Sequence, residues 1–358
     1  MKKSKVFFAP LPDGASAAEQ AAALGRVMEA TGFVKRLKKL DMVAIKLHVG
    51  ERNNTTHVKP ELAAAAVALV KKAKAQAFLT DTSTLYKGKR ENAIKHALHA
   101  NEHGFTVEVT GAPFIALDGL SGTDEVELEV GGELHQRVKV AGQVLLVDAL
   151  VVISHATGHI ATGLGAAIKN VGMGLSSRAG KMRQHSKITP EVIVKKCTDC
   201  GKCRKWCPTQ AISAAEGASF IDRGKCIGCG ECIAVCRFGA IKFDYRIESP
   251  VLQKSMAEHA AAVVRRFADK AVYVNVLADM TKDCDCFDIA QKKIVPDVGV
   301  LASTDIVAAD QATLDLTAKA HGKDLSRISY PRYDPTIQIV HAEKMGLGTR
   351  EYLIEQMS

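Results

Sequence analysis

The sequence predicts an α/β protein: a largely parallel sheet with helices, interrupted by a compact cysteine-rich insertion. Three observations predict it. Short apolar runs alternate with Ala-rich, one-sidedly charged stretches before residue 188 and again after residue 246. Eight of the ten cysteines crowd into residues 197–236. No Gly/Ser linker separates the two alternating portions, and neither alone has an obvious complete sheet. The expected organisation is a first part of the α/β domain at 1–187, an insertion at 188–246 and a second part at 247–358, rather than three domains in series.

Strands are expected at 6–9, 43–47, 77–80, 106–109 and 150–154, where short runs are apolar and largely β-branched or aromatic. Helices are expected between them at 17–31, 60–76 and 90–103, with Pro60 suited to a first helical turn. Residues 124–147 alternate apolar and charged side chains around Gly131, Gly132 and Gly142, the pattern of antiparallel ribbons. Beyond the cysteines, 250–268 and 305–321 read as helices, and 271–277, 298–302 and 336–340 as strands.

With 47% apolar and 24% charged residues, the chain has the composition of an ordinary globular protein. No apolar run reaches the ~18 residues of a spanning helix. After Lys2, Lys3 and Lys5, the apolar stretch 6–9 stops at Pro10, too short for a secretory signal. A cytoplasmic location without a membrane span is expected. The absence of a basic run interleaved with aromatics argues against nucleic acid.

The cysteine spacing is the most specific signal. Cys197-x2-Cys200-x2-Cys203-x3-Cys207-Pro208 recurs 29 residues later as Cys226-x2-Cys229-x2-Cys232-x3-Cys236, with Gly201 matched by Gly230 and Ala211-Ile212 by Ala240-Ile241. This duplication resembles two-cluster bacterial ferredoxins. Three thiolates on a tight loop hold three irons of a cubane, and a fourth, entering a helix, reaches the other cluster. Cys197, Cys200, Cys203 and Cys236 are thus expected to bind one 4Fe–4S cluster, and Cys226, Cys229, Cys232 and Cys207 the second. Paired zinc sites fit less well, because zinc ribbons use two separated Cys pairs. Arg237 stands where the first repeat has Pro208, which puts the local turn in question.

Two oxidised clusters with their thiolates carry about −4, lowering the formal +9 to about +5. Residues 191–246 hold ten Lys/Arg against six Asp/Glu, a local surplus that matches the cluster charge.

Three further stretches are chemically dense: Lys46-Leu47-His48-Val49-Gly50-Glu51; Ser154 and His155 through His159 to Lys169, Asn170 and Gly174, followed by Lys181 and His185; and Cys284-Asp285-Cys286. With the cysteine block they resemble the iron–sulfur-centre proteins of the domain-of-unknown-function family numbered 362, from about Lys46 to about Ala312. The resemblance implies an α/β domain with a double-cluster insertion and no established substrate. Where that pattern often has Cys after Gly-Met-Gly, this chain has Leu175.

Ligands of open α/β sheets bind beyond the carboxyl ends of strands. Lys46, His48, Glu51, Asp81, His155, His159, Lys169 and His185 are therefore the expected catalytic set, with His or Glu moving protons. Gly158, Gly163 and Gly165 precede the segment carrying Lys169, where a helix N-terminus would hold an anion or the glycines would merely allow close packing. Cys284 and Cys286 have three roles open to them: binding zinc or iron with His155, His159 or His185, forming a redox-active pair, or remaining inert thiols. Asp305 suits a helix cap, and Asp310 a partner for Lys or Arg. The expected function is an oxidoreductase that takes electrons from a redox partner protein and acts on a small anionic substrate. The alternatives are a non-catalytic ferredoxin-like carrier subunit and a metal- or redox-sensing protein.

Overall fold

The computed structural model describes residues 3–185, 189–226, 228–242 and 248–357; the expected insertion borders at 187/188 and 246/247 lie outside the described residues. In chain order the strands are β1 (Ser4–Pro10), β2 (Met42–Lys46), β3 (Gln76–Thr80), β4 (Glu125–Glu129), β5 (Arg137–Ala141), β6 (Ala149–His155), β7 (Thr157–His159), β8 (Gly163–Gly165), β9 (Glu191–Val192), β10 (Ile212–Ala215), β11 (Ala218–Ile221), β12 (Ile241–Lys242), β13 (Ala271–Leu277), β14 (Gly299–Ser303) and β15 (Tyr352–Gln356). The helices are α1 (Ala17–Ala30), α2 (Pro60–Lys72), α3 (Ala93–Glu102), α4 (Val107–Thr110), α5 (Ala167–Gly172), α6 (Arg178–His185), α7 (Lys202–Trp206), α8 (Glu231–Val235), α9 (Ser249–Phe267), α10 (Ile306–His321), α11 (Leu325–Ser329) and α12 (Thr336–Lys344).

The central sheet has the order β15-β1-β14-β13-β6-β2-β3, and only β14 runs antiparallel to its neighbours. Strands from both sides of the cysteine-rich segment share it, with β6 pairing β13 so that His155 lies opposite Val276. Every residue of β6 and β13 is buried, which is why both read as largely apolar runs, with Ser154, His155 and Asn275 as the polar exceptions. One face packs Leu24, Val27 and Met28 of α1 and Leu62, Ala66 and Val70 of α2 against Ile45, Val151 and Val274. The other face meets α5, α9 and α10 through Ile168, Val263 and Val307.

Two expected strands are helices. At 106–109, the Thr106 hydroxyl accepts from the Val109 N–H and Gly111 closes the turn in the left-handed region, giving α4. At 336–340, Asp334 accepts from the Thr336 N–H, and Gln338, Ile339, His341 and Ala342 bury one helical face of α12. The last strand is instead β15, an edge strand parallel to β1. The ribbon expected at 124–147 is present as the β4–β5 hairpin.

Because β2, β3, β6 and β13 are mutually parallel, their carboxyl ends emerge along one edge of the sheet. The segments that follow Lys46, Thr80, His155 and Leu277 converge there.

Candidate functional site

The strand ends gather buried charge. Lys46, 1% exposed, places Nζ 2.6 Å from Asn170 Oδ1 and 3.2 Å from Asp81 Oδ1. Gly174 makes this passage open, since a Cβ there would lie 2.4 Å from Lys46 Cε. Arg90 donates to Glu51 (2.8 Å), Asp81 (3.2 Å) and the Tyr86 oxygen (2.6 Å). Lys181 donates to the Ser83 carbonyl at 2.6 Å and to the Thr82 hydroxyl. Burial alone raises the Asp81 pKa, but Lys46, His96 and Arg90 outweigh it and hold it at about 2. Burial lowers Lys181 to about 8 against the pull of Asp118 and Asp81. It also drives His48 well below its ordinary value, reinforced by Arg90 and Lys46. His48 Nδ1 accepts from the Gly50 N–H at 2.9 Å, and its buried Nε2 has no hydrogen-bond partner.

Sequence reasoning missed Arg90, Tyr86, His96 and Asp118. The polar run Asp81-Thr82-Ser83-Thr84 directly after a strand was the available signal.

Lys169, partly buried, stands apart. Among the described residues its ammonium has neither a hydrogen-bond nor an ion-pair partner. Burial lowers its pKa to about 8; Asp285 opposes this, while Arg90 and Lys46 add to it. The expected anion site at its helix N-terminus is already filled from within. Asp310 accepts the Ala167 and Ile168 N–H groups at 2.8 and 2.9 Å, and α5 has only six residues. Asp310 is thus a buried cap, not a partner for Lys or Arg, whereas Asp305 caps α10 as expected.

The Cys284–Cys286 segment is pinned from two sides. The Glu51 N–H donates to the Asp285 carbonyl at 3.1 Å, and His155 Nδ1 lies 3.0 Å from both Asp285 carboxylate oxygens. His155 Nε2 faces the carbonyls of Ala278 and Asp279 at 3.0 and 3.2 Å. Acceptors at both nitrogens favour the doubly protonated imidazolium of His155. Burial opposes that charge, but Asp285 outweighs it and raises the pKa. His155 is therefore engaged in positioning rather than aimed into the site.

His159 takes the other side. Gly158 donates its N–H to the Thr281 carbonyl at 2.9 Å, and a Cβ on it would lie 2.2 Å from the Lys282 carbonyl oxygen. That close approach sets His159 beside the cysteines: a ligand atom of His159 and the sulfurs of Cys284 and Cys286 all lie within 4.8 Å of one another. The two sulfurs are joined as a disulfide. His185, lowered to about 4 by burial with Lys169 and Lys181, is close enough to His159 to depress it in turn.

The remaining eight cysteines surround two cavities. One is lined by Cys226, Cys229, Cys232 and Cys207, the other by Cys197, Cys200, Cys203 and Cys236. Backbone N–H groups point at sulfur in both repeats: Ala211 to Cys207 at 3.2 Å and Ala240 to Cys236 at 3.3 Å. Gly201 and Gly230 sit in the left-handed region at φ 72° and 78°. This donor set fits a sulfur-ligated iron cluster in each cavity. The fourth cysteines differ from expectation in one respect. Cys207 and Cys236 do not enter helices but follow them, extended at φ −78° with ψ 111° and 99°. The conformation is the same before Pro208 and before Arg237, so proline does not set the turn.

Helix α6 joins the two regions. Arg178 donates to the Ala234 carbonyl of α8 at 2.7 Å, and a Cβ on Gly230 would lie 2.1 Å from Met182 Cγ. Met182 and Leu85 share an apolar cluster with Cys203, Cys232 and Ile233, while Lys181 of the same helix turns to Thr82 and Ser83. Lys139 pairs with Glu231, and Lys87 donates to the Arg237 carbonyl at 2.8 Å. No helix among the described residues is long and apolar enough to cross a membrane.

The chain is 46% identical over 46 residues to one component of the ion-translocating oxidoreductase complex of Methanosarcina acetivorans, 13% of this chain and 17% of that protein. It is 33% identical over 70 residues to electron transport protein HydN of Escherichia coli, 20% and 38% of the two chains. A ferredoxin of Methanocaldococcus jannaschii matches at 36% over 66 residues, 18% and 37% of the two chains. The chain spans half or less of the length of the curated relatives it matches. Among solved structures, a Thermotoga maritima protein aligns with 87% of this chain and 61% of its own at 12% identity and a TM-score of 0.43. The lactate racemase apoprotein of Thermoanaerobacterium thermosaccharolyticum aligns with 83% and 53% at 11% identity and a TM-score of 0.40. The model of the family described as a domain of unknown function, DUF362, matches residues 43–315, most of the chain, and the chain belongs to that family.

Proposed function

We propose that this protein is a cytoplasmic iron–sulfur oxidoreductase that binds two 4Fe–4S clusters and passes electrons to the strand-end site. One observation carries the reading. Each of two cavities collects three cysteines of one repeat and the fourth cysteine of the other. The segment 188–246 is then the cluster-bearing insertion of an α/β domain formed by 1–187 and 247–358. The short iron–sulfur and electron-transport likenesses support the same chemistry.

When bound, the clusters supply one-electron transfer with an external redox partner protein. The chain's own residues do the rest. Lys46, Arg90, Lys169 and Lys181 bring four cations to one end of the sheet. Glu51, Asp81 and Asp118 offset part of that charge, and Asp285 is committed to His155. The surplus favours a small anionic substrate held at Lys169. His48 and His185 are kept neutral by burial and neighbouring cations, which suits them to accept a proton. Cys284 and Cys286 supply soft ligands for an additional zinc or iron ion. A plain electron carrier has no use for a partly buried, unpartnered lysine, which favours the enzyme over that alternative.

Iron and acid-labile sulfide analysis of anaerobically purified protein, with electron paramagnetic resonance after reduction, tests the reading. About eight irons and two cluster signals are expected. Colourless, folded, iron-free protein overturns it.

A further inference from the structure

We propose that His159, Cys284 and Cys286 form a redox-gated site for one divalent transition-metal ion, shut as a disulfide and opened by two-electron reduction. This deepens the proposed function, resting on it for the electron source but not for the ligand set.

The ligands follow by elimination. His155 spends both nitrogens on Asp285 and on two carbonyls. His159 is the histidine that shares a 4.8 Å sphere with the two sulfurs. Its Nδ1 is 2.9 Å from the Thr162 oxygen, and the Thr162 hydroxyl donates onward to the Leu164 carbonyl at 2.9 Å. That leaves the Thr162 oxygen free to accept from Nδ1–H, so Nε2 presents a lone pair to the metal. The Ala161 N–H, 3.2 Å from the same Nδ1, favours the opposite tautomer, and metal binding selects between the two.

Cys284 and Cys286 alternate with Asp285 along the chain, and the His155 and Glu51 contacts anchor Asp285 from the other side. The pair is therefore held in place whether or not the sulfurs are bonded to each other. Cys284 is 4% exposed and Cys286 is half-buried, so one sulfur of the reduced pair is shielded from bulk solvent and the other is open to a reductant.

The step balances. One S–S bond breaks and two electrons enter, giving two thiolates. These two thiolates and one neutral imidazole then take up one M²⁺, so the site is neutral before reduction and neutral again after loading. Without metal the two reduced sulfurs take up two protons and become neutral thiols; the ion displaces those protons and holds the sulfurs as thiolates. The electrons come from a low-potential one-electron donor acting twice, a role the proposed function gives to two reduced clusters. Three protein ligands leave a fourth position open, as catalytic rather than structural metal sites do. The Lys169 ammonium nearby favours an anion in that position.

The test uses the full-length protein, anaerobic and cluster-loaded, with cobalt(II) as the probe. Thiols on the Cys284–Cys286 peptide are counted by alkylation and mass spectrometry before and after reduction. One set of samples receives two electron equivalents of dithionite, another a phosphine reductant that cleaves disulfides directly. We expect no alkylation and no cobalt binding as isolated. After either reduction we expect two thiols and one cobalt with sulfur-to-metal charge-transfer absorption. His159→Gln, Cys284→Ser and Cys286→Ser should each weaken cobalt binding by about 100-fold or more. Their circular dichroism and cluster signals should match the wild type, separating site loss from misfolding. Equal cobalt binding before and after reduction overturns the gate. Failure of the phosphine-reduced protein to bind cobalt, or wild-type affinity in His159→Gln, overturns the site. Cobalt binding after phosphine but not after dithionite sinks the proposed electron source while upholding the site.

Discussion

His155 donates from Nδ1 to Asp285 and from Nε2 to the Ala278 carbonyl, both at 3.0 Å, and so ties the end of β6 to the segment that carries Cys284 and Cys286. Both residues are buried, and neither charge has water to fall back on. Removing one partner strands the other, which costs about 3–5 kcal/mol. His155→Gln should therefore lower unfolding stability by that order at pH 6. The gap should narrow as pH rises. The folded pKa of His155 lies above its unfolded value near 6.5, so its contribution is complete below 6.5 and fades as pH climbs through the folded pKa. Denaturant titrations of both proteins across pH 6 to 9 check this, and a pH-independent gap contradicts it.

Lys169 should behave as a residue kept for binding. Replacing a partly buried, unpartnered ammonium by an apolar chain of similar length removes a desolvation cost. Lys169→Met should raise stability by about 1 kcal/mol while abolishing retention of small carboxylates or phosphate. In the wild type, acetylation of Lys169 should show a midpoint near pH 8, matching its lowered pKa, well before the surface lysines react. A midpoint above pH 10 would count against a desolvated amine here.

The crossed cysteine sets make a distinctive prediction about pairs of variants. Cys203→Ser and Cys236→Ser each remove a ligand from one cavity, so the double variant should lose no more than about four irons. Cys203→Ser with Cys207→Ser disables both cavities and should lose nearly all iron. If each repeat bound its own cluster, these two outcomes would be exchanged.

Chelating the iron should unfold the cysteine-rich segment selectively. Its core is small: Ile212, Ile221, Ile233 and Ile241 pack with the cysteines themselves and with Met182 and Leu85. Stripped protein should be cut by protease within 189–242 while fragments carrying the central sheet persist. Unchanged resistance in that segment contradicts the prediction.

Gly158→Ala should cost about 1–3 kcal/mol, because the added methyl would sit 2.2 Å from the Lys282 carbonyl oxygen. It should also push β7 away from the Cys284 segment. Cobalt affinity of the reduced protein should fall together with stability, whereas an overpacked position remote from the metal ligands would change stability alone.

The sequence by itself determined the local and periodic features. Fully buried strands are mostly apolar, so β6 and β13 were legible, as was the Cys-x2-Cys-x2-Cys-x3-Cys duplication, whose spacing is set by the reach of a loop around a cube. The same local reading failed at 106–109 and 336–340, where a threonine cap and a one-sided buried face outweigh β-branched composition. Only the tertiary structure decided which distant groups meet. Arg90 becomes part of the site because its guanidinium spans Glu51 and Asp81, 39 and 9 residues away. Asp310 takes the N–H groups that looked free for a ligand. His155 and His159 are four residues apart and chemically identical on paper. The packing of Gly158 on Lys282 and the reach of Asp285 make one a fixed cation and turn the other toward sulfur, because burial lets each ring keep only the protons its neighbours can accept.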